Sequence, residues 1–566
     1  MSEKRTRKVG YVTHEIALMK RGGPNIPIYS GGLGTLAGAI AKAARNLNVE
    51  MTIFSLAARG GYCDQNIYEE NGTLHMGHQN IYREYPDLWK DMGILLEIPV
   101  CGEIIKARVK KVSGIYETVD VYLIDADIDE NGDFWSISRM NTRYLYAGPS
   151  DVGGNDERQI AQDIILGVGA VKAAEALGLG IELWHMNESH TVPVGMELLK
   201  RELCEKTLLN TFSHEQRMNL FGDAVKQVKS KVIYTNHTPD PAGNKRYDLD
   251  MFKRMYRDLP DDMIERLGDD GLSPPGFNLG VASLRLSRMA NAVSKKHMEV
   301  TKAMFAMVID GAPIIYITNG SLLKDFFQDP IFADAKTWEE LRNAKLLGKR
   351  QLNQFLLGYV GKEIDINAHV SAFCRRFARY KRPDLLLTYA RDWLVQHLAD
   401  KRFYLIIAGK PHPDDHPMVS AWTNLLRLGK EYPNLIMVPN YDMYISKIIK
   451  AGSDTWLNLP RAGMEACGTS GQSGASEGAV NVSIVDGWEC EAEKDNFFSF
   501  GTQFPSANMD VYDANALVST LDLVFDIYYN DPERWFKMAL RAKFEAEKYW
   551  NAERMMKEYV DKMYTF

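Results

Sequence analysis

The sequence predicts an α/β protein with parallel sheets in two domains, and three observations carry that expectation. First, apolar runs of strand length recur along the chain: KVGYVTHEIAL, VEMTIFSLAA, KVIYTNHT, PIIYITNG, HVSAFCRRF, FYLIIAGK, NLIMVP, DTWLNLP and AVNVSIVDG. Their Val, Ile, Leu and Phe fall on consecutive positions, which suits strands covered on both faces, the habit of a parallel sheet. Second, amphipathic segments such as AGAIAKAARNL, DIILGVGAVKAAEAL and LLLTYARDWLVQHLAD lie between them, giving the alternation of an α/β layer structure. Third, 566 residues are too many for one core. The rhythm breaks between Asn319 and Ile364, in the polar helical stretch DAKTWEELRNAKLLGKRQLNQFLLGYVGKE, and restarts at Ile366. The expected domains are residues 1–320 and 321–545. Ligands of such sheets sit beyond the carboxyl ends of the strands, so the two domains should face one another across a cleft.

Composition narrows the function classes. Apolar residues make up 45% and charged residues 25%, with a net charge of −7, an ordinary soluble balance with no basic field to draw nucleic acid or a membrane surface. The N-terminal MSEKRTRKVGYVTHEIAL has positive charge without the apolar run of a signal peptide. No apolar stretch reaches the roughly eighteen residues of a membrane span. Cys63, Cys101, Cys204, Cys374, Cys467 and Cys490 are scattered, without a CxxC pair, which suits reduced thiols and a cytoplasmic protein rather than a disulfide framework or zinc site.

Five constellations could carry chemistry. Tyr29-Ser30-Gly31-Gly32-Leu33-Gly34 precedes a helical segment. Glycines there let backbone N–H groups approach an anion at a helix N-terminus, although a turn without phosphate duty reads the same way. Arg375-Arg376-Phe377-Ala378-Arg379-Tyr380-Lys381-Arg382 follows the strand HVSAFC. That density of cation at a strand end calls for an anion; the bland alternative is a solvated helix start. Glu465-Ala466-Cys467-Gly468-Thr469-Ser470-Gly471-Gln472-Ser473-Gly474 follows DTWLNLP, as either a second anion cradle or a flexible loop. Trp184 to His190 and Tyr234 to Pro239 also end apolar runs; His185 reads as structural and His237 as the better candidate. Asp127 to Asp133 begins like an EF-hand loop, but the twelfth position is Ser138 rather than glutamate, so an exposed acidic turn is expected instead.

Taken in order, YSGGLG, WHMNESH, YTNHTP, SRMANAVSKKH, YITNG, RRFARYKR, AGKPHP, YDMYISKIIKAGSDTWLN, EACGTSG and VNVSIVDGW resemble the α-glucan phosphorylases, most closely their short archaeal and bacterial branch. The resemblance runs from about Gly10 to Trp488. It implies a GT-B fold: two Rossmann-like domains across a deep cleft, with the terminal segment 546–566 returning as a helix (Trp550 to Tyr564) to the first domain.

One departure bears on the chemistry the resemblance implies. The phosphorylases carry EASGTxxMK, whose lysine forms a Schiff base with pyridoxal phosphate; here Ser473 stands at that position, and no lysine lies between Lys450 and Lys494. A hydroxyl cannot form an imine, so no pyridoxal phosphate is expected. Arg376 and Lys381 keep the RxxxxK spacing shared with glycogen synthases, and Glu465-Ala466-Cys467-Gly468 is similar to their EPCG. The expected activity is therefore retaining glucosyl transfer from ADP-glucose or UDP-glucose to the non-reducing end of an α-1,4-glucan such as glycogen, without a metal. Where the bacterial synthases have the lysine of KTGG this chain has Tyr29, which removes one phosphate contact. Arg376 and Lys381 would neutralise the leaving diphosphate, Glu465 would grip the donor glucose, and His237 would contact the sugar near the reacting carbon. Gly31, Gly32, Gly468, Thr469 and Ser470 would add donors, Glu188 and Asn236 would lie beside the sugar, and Tyr441 would pack near the nucleotide. Gln472, Ser476 and Glu477 replace the Met, Leu and Asn of the family's MKxxLNG, and Glu477 would bring a carboxylate near the phosphate. A phosphorylase releasing glucose 1-phosphate and a non-catalytic glucan-binding homologue are the rival expectations. A homo-oligomer is compatible with the sequence.

Overall fold

The computed structural model describes residues 6–20, 22–23, 26–68, 73–77, 87–132, 142–147, 156–203, 206–239, 244–502, 506 and 508–565. The strands of the larger sheet are β1 (Val9–Thr13), β2 (Met51–Leu56), β3 (Trp89–Val100), β4 (Glu103–Val112), β5 (Asp120–Asp125), β6 (Leu183–Asn187), β7 (Val232–Thr235), β8 (Met289–Ala292) and β9 (Ile314–Tyr316); two short antiparallel pairs, Asp64–Tyr68 with Thr73–Gly77 and Arg246–Asp248 with Gly276–Asn278, stand apart from it. The nine strands of that sheet run in the order β9-β8-β7-β6-β1-β2-β5-β4-β3. Pairing is parallel from β9 to β5 and antiparallel from β5 through β4 to β3. The six later strands are β10 (His369–Cys374), β11 (Phe403–Ala408), β12 (Leu435–Val438), β13 (Thr455–Asn458), β14 (Val480–Ile484) and β15 (Phe497–Phe500). They make a wholly parallel second sheet, ordered β12-β11-β10-β13-β14-β15.

Every residue of β1, β2, β10 and β11 is buried, as consecutive apolar residues require when helices cover both faces of a sheet. β3 instead alternates between covered and exposed positions, because an antiparallel edge has one face to water. Close packing sets several small residues: a Cβ on Gly10 would lie 2.8 Å from the Trp184 ring. The helix Trp338–Val360 starts in a capping box of Thr337 and Glu340 and stops at Gly361, with φ 65°. It packs on the helix Met443–Gly452 of the second sheet; Gly348 permits this, since a Cβ there would lie 2.3 Å from the Ala451 carbonyl oxygen.

After the second sheet the chain comes back. The helix Ala552–Tyr559 packs on the helix Gly32–Asn46, and the Arg7 amide donates to the Tyr564 carbonyl at 3.0 Å. His185 is part of that junction: buried, with Nδ1 2.8 Å from the Tyr564 hydroxyl and Nε2 2.7 Å from Thr235 Oγ1. The acidic turn needs a correction. Asp129 and Glu130 are exposed, but Asp127 is fully buried and receives Arg143 through Nε (2.8 Å) and Nη2 (3.1 Å). Asp133 and Ser138 lie outside the described residues. Among the described residues no helix is long and apolar enough to cross a membrane.

Candidate functional site

A cleft of about 1200 Å3 opens between the two sheets, and its walls come from the carboxyl ends of their strands. Glu15 follows β1, Glu188 follows β6, His237 follows β7, Arg375 follows β10, Lys410 follows β11 and Asn440 follows β12. This placement is what parallel strands impose: all point their carboxyl ends, and the loops after them, the same way.

The cations form the floor. Lys381 Nζ lies 2.8 and 3.1 Å from the two Glu465 carboxylate oxygens, and Arg375 is 3.5 Å from the same carboxylate. Arg375 also donates to Asn458 Oδ1 and, at 2.9 Å, to Ser470 Oγ. Burial alone would raise the Glu465 carboxyl; Lys381, Arg375 and Arg376 outweigh it and hold the group below its usual range. Arg376 differs from its neighbours. Water reaches it inside the cleft, no ion pair engages it among the described residues, and Glu15, Tyr62 and Tyr146 surround it. Gly31 lies beside it, a Cβ there standing 4.0 Å from Arg376 Cδ, an ordinary contact distance. A free guanidinium between a glycine turn and a lysine–glutamate pair is a site for an oxyanion.

The helix Thr469–Ser476 begins at this floor. Gly468, with φ 89° and ψ 45°, is its N-cap in the left-handed region, so Thr469 and Ser470 enter the cleft with the first-turn amides. Tyr441 lines the cleft too; its hydroxyl donates to Ser446 Oγ at 2.8 Å. Gly31 and Gly32 line the opposite wall.

Other expected residues sit differently. Both oxygens of Glu188 are engaged: Oε1 accepts from Ser189 N (2.8 Å) and Tyr234 OH (3.4 Å), and Oε2 from His237 N and Thr238 Oγ1 (both 2.9 Å). Glu188 therefore reaches the cleft wall chiefly as the organiser of the His237 turn, at a backbone φ of 77°. Burial raises its carboxyl even so. His237 lines the cleft with Nε2 2.7 Å from Asn187 Oδ1, and burial lowers its imidazole to about 3. Its ring is therefore neutral at neutral pH. Asn236 is buried behind the wall, bonded to Thr238 O and Thr301 Oγ1. Glu477 does not line the cleft: its Oε1 accepts from Asp329 N at 2.7 Å, so the expected carboxylate beside the cleft's anion-facing groups is absent from its wall.

Three residues join the site beyond those assigned an individual part above, Arg375 having been read only as one of the clustered cations. Glu15 accepts hydrogen bonds from Ser30 N and from Tyr146 OH (2.8 Å), fixing the turn before Gly31. Arg375 braces Glu465 and Ser470. Lys450, on the helix Met443–Gly452, projects into the cleft with Nζ 2.7 Å from Ser473 Oγ. Among the described residues no cluster of His, Cys, Asp and Glu is arranged to hold a metal ion.

No family model matches the chain. It is 32% identical to an uncharacterized protein of Methanocaldococcus jannaschii, over 95% of this chain and 96% of that protein. It is 31% identical to the maltodextrin phosphorylase of Thermococcus litoralis, over 96% of this chain and 69% of that enzyme. To the glycogen phosphorylase of Mycobacterium tuberculosis the identity is 30%, over 95% of this chain and 69% of the other. Identity at this level runs through both sheets and the cleft between them, and the chain belongs to the glycogen and maltodextrin phosphorylase superfamily of glycosyltransferases.

Proposed function

We propose that the chain is an α-glucan phosphorylase of GT-B architecture, exchanging the terminal glucosyl unit of an α-1,4-glucan with inorganic phosphate. Arg376, without an ion pair among the described residues and set between Gly31 and the Lys381–Glu465 pair, is the observation that carries this reading. In the reaction a phosphate oxygen bonds to the anomeric carbon, the bond to the glucan 4-oxygen breaks, and that oxygen takes a proton. Arg376 and Lys381 neutralise the phosphate, Glu465 accepts from glucose hydroxyls, and His237 packs against the sugar beside the reacting carbon. Glu188 keeps the His237 turn in place.

The residues fit pyridoxal phosphate, which supplies a second phosphate group and an aldehyde when bound. Arg375, Lys381 and the first turn of Thr469–Ser476 would hold its phosphate, Tyr441 and Phe327 border space for its ring, and Lys450 offers an amine. A second reading keeps the sugar-nucleotide donor, with no cofactor: Ser473 in place of lysine favours it, and the same cations would receive the diphosphate of ADP-glucose or UDP-glucose. One experiment separates them. Purified protein is given glycogen with phosphate and pyridoxal phosphate, and, separately, glycogen with each sugar nucleotide. Glucose 1-phosphate release is expected in the first; chain extension from a sugar nucleotide without that release would replace this reading by the second.

A further inference from the structure

Lys450 is an anomaly among the buried lysines of this protein. Lys349 meets Asp454 at 2.6 Å and also donates to the Ala368 carbonyl. Lys543 meets Glu547 at 2.7 Å. Lys345 caps the carbonyls of Lys450 and Ala451 at 3.0 and 3.1 Å. Each has a carboxylate or a pair of carbonyls, as buried ammonium groups require. Lys450 has neither. Its hydrogen-bond partner among the described residues is the Ser473 hydroxyl, which itself donates toward the carbonyls of Thr469 and Ser470 at 3.2 Å. Below the amine lies the Phe327 ring, 3.9 Å from Nζ to the centroid, with Trp456 at 5.4 Å.

The Phe327 and Trp456 faces support an ammonium, but among the described residues no carboxylate pairs with it. Lys450, Phe327, Cys374, Tyr441 and Ser473 all line the cleft, and the lysine is nearly fully covered there among rings and small groups. The turn that Ser473 contacts is the one Arg375 braces at Ser470, so the amine of Lys450, on the helix Met443–Gly452, meets the first turns of the helix Thr469–Ser476 beside the anion cradle. Burial lowers the Lys450 ammonium to about 7, despite Cys374 and Glu477 nearby, so much of it is the neutral nucleophile at physiological pH.

We infer that Lys450 is the amine that binds pyridoxal phosphate covalently in this chain, reaching from the helix Met443–Gly452 to the place where Ser473 offers only a hydroxyl. The inference rests on the phosphorylase reading. Nζ adds to the aldehyde carbon, both amine hydrogens leave with the aldehyde oxygen as water, and C=N replaces C=O without any oxidant or reductant. Ser473 is a positioning residue: its hydroxyl accepts from Nζ and aims it.

The test labels the whole protein as purified. It is incubated with pyridoxal phosphate, reduced with borohydride to fix any imine as a secondary amine, digested, and mapped by mass spectrometry. One phosphopyridoxyl group per chain is expected, on Lys450, with an imine absorbance band before reduction. Lys450→Met should lose both band and label. A label spread over surface lysines, a label on another single lysine, or none at all would overturn the inference, and the wild-type map decides this even where the variant misfolds. Phosphorolysis without a label on Lys450 would leave the function standing and remove this residue from it. A label on Lys450 without phosphorolysis would do the reverse.

Discussion

At the scale of single residues, the site is a matter of which charges are already spent. Lys381 and Arg375 are paired with Glu465, whereas Arg376 has no ion pair among the described residues, so it offers the greatest gain to an incoming phosphate. Replacing Arg376 or Lys381 by alanine should lower turnover on the order of 100-fold, the scale of losing one preorganised charge stabiliser. Arg379 is exposed and lies outside the cleft lining, so Arg379→Ala should change turnover by no more than a few-fold. Steady-state rates of the three variants decide it; equal effects would move the phosphate site elsewhere. Much of this was legible in the sequence, because cations crowded after a buried strand have few uses other than an anion. Lys450 was not. It lies 23 residues before Ser473, on a different helix, and only the fold brings the two together. Glu15 hid for a similar reason, as the single carboxylate at the end of an apolar run.

At the scale of elements, the strand ends and helix starts do the positioning, and the sequence showed them unevenly. All nine apolar runs contain strands, because a strand covered on both faces needs consecutive apolar residues. β3 and β4 alternate and β8 (Met289–Ala292) is short and holds Asn291, so a search for apolar runs passes over them. The start of Thr469–Ser476 depends on one residue of special conformation. Gly468 is left-handed, and a Cβ there would lie 3.4 Å from Glu465 Cγ, within ordinary contact, so the cost of a side chain is backbone strain rather than collision. Gly468→Ala should destabilise the protein by about 1–2 kcal/mol. Relief of that strain would rotate the first-turn amides and Glu465, so activity should fall further than stability implies. Thermal unfolding measured beside kcat checks this: a stability loss with unchanged kcat would detach the helix start from the chemistry.

At the scale of the whole molecule, the cleft is shaped by two seams. On one, the chain crosses between sheets: Ser321 Oγ donates to the Thr469 carbonyl at 2.9 Å and Ser294 Oγ to the Ala466 carbonyl at 2.6 Å. On the other, Gln65 and Asn440 clasp. Gln65 N donates to Asn440 Oδ1 (2.6 Å), Asn440 N to Gln65 Oε1 (2.8 Å), and Asn440 Nδ2 to the Gln65 carbonyl (3.1 Å). Lys410 adds a bond to the Cys63 carbonyl at 2.7 Å. Asn440 holds φ 53°, a left-handed conformation asparagine tolerates better than most residues. Asn440→Ala would remove two of the clasp's bonds, leave the buried Gln65 backbone unpaired at a cost of about 1–3 kcal/mol, and add strain. That cost falls on the seam and not on either sheet, so the cleft should spend more time open. The expected signs are a higher KM for glucan, a lower kcat, and faster amide hydrogen exchange at residues 64–68 and 440–446, with exchange in β1 and β10 unchanged. If exchange at the clasp and KM both keep their parent values, the cleft is held by the crossing seam alone, and the Gln65–Asn440 contact has no part in binding the glucan.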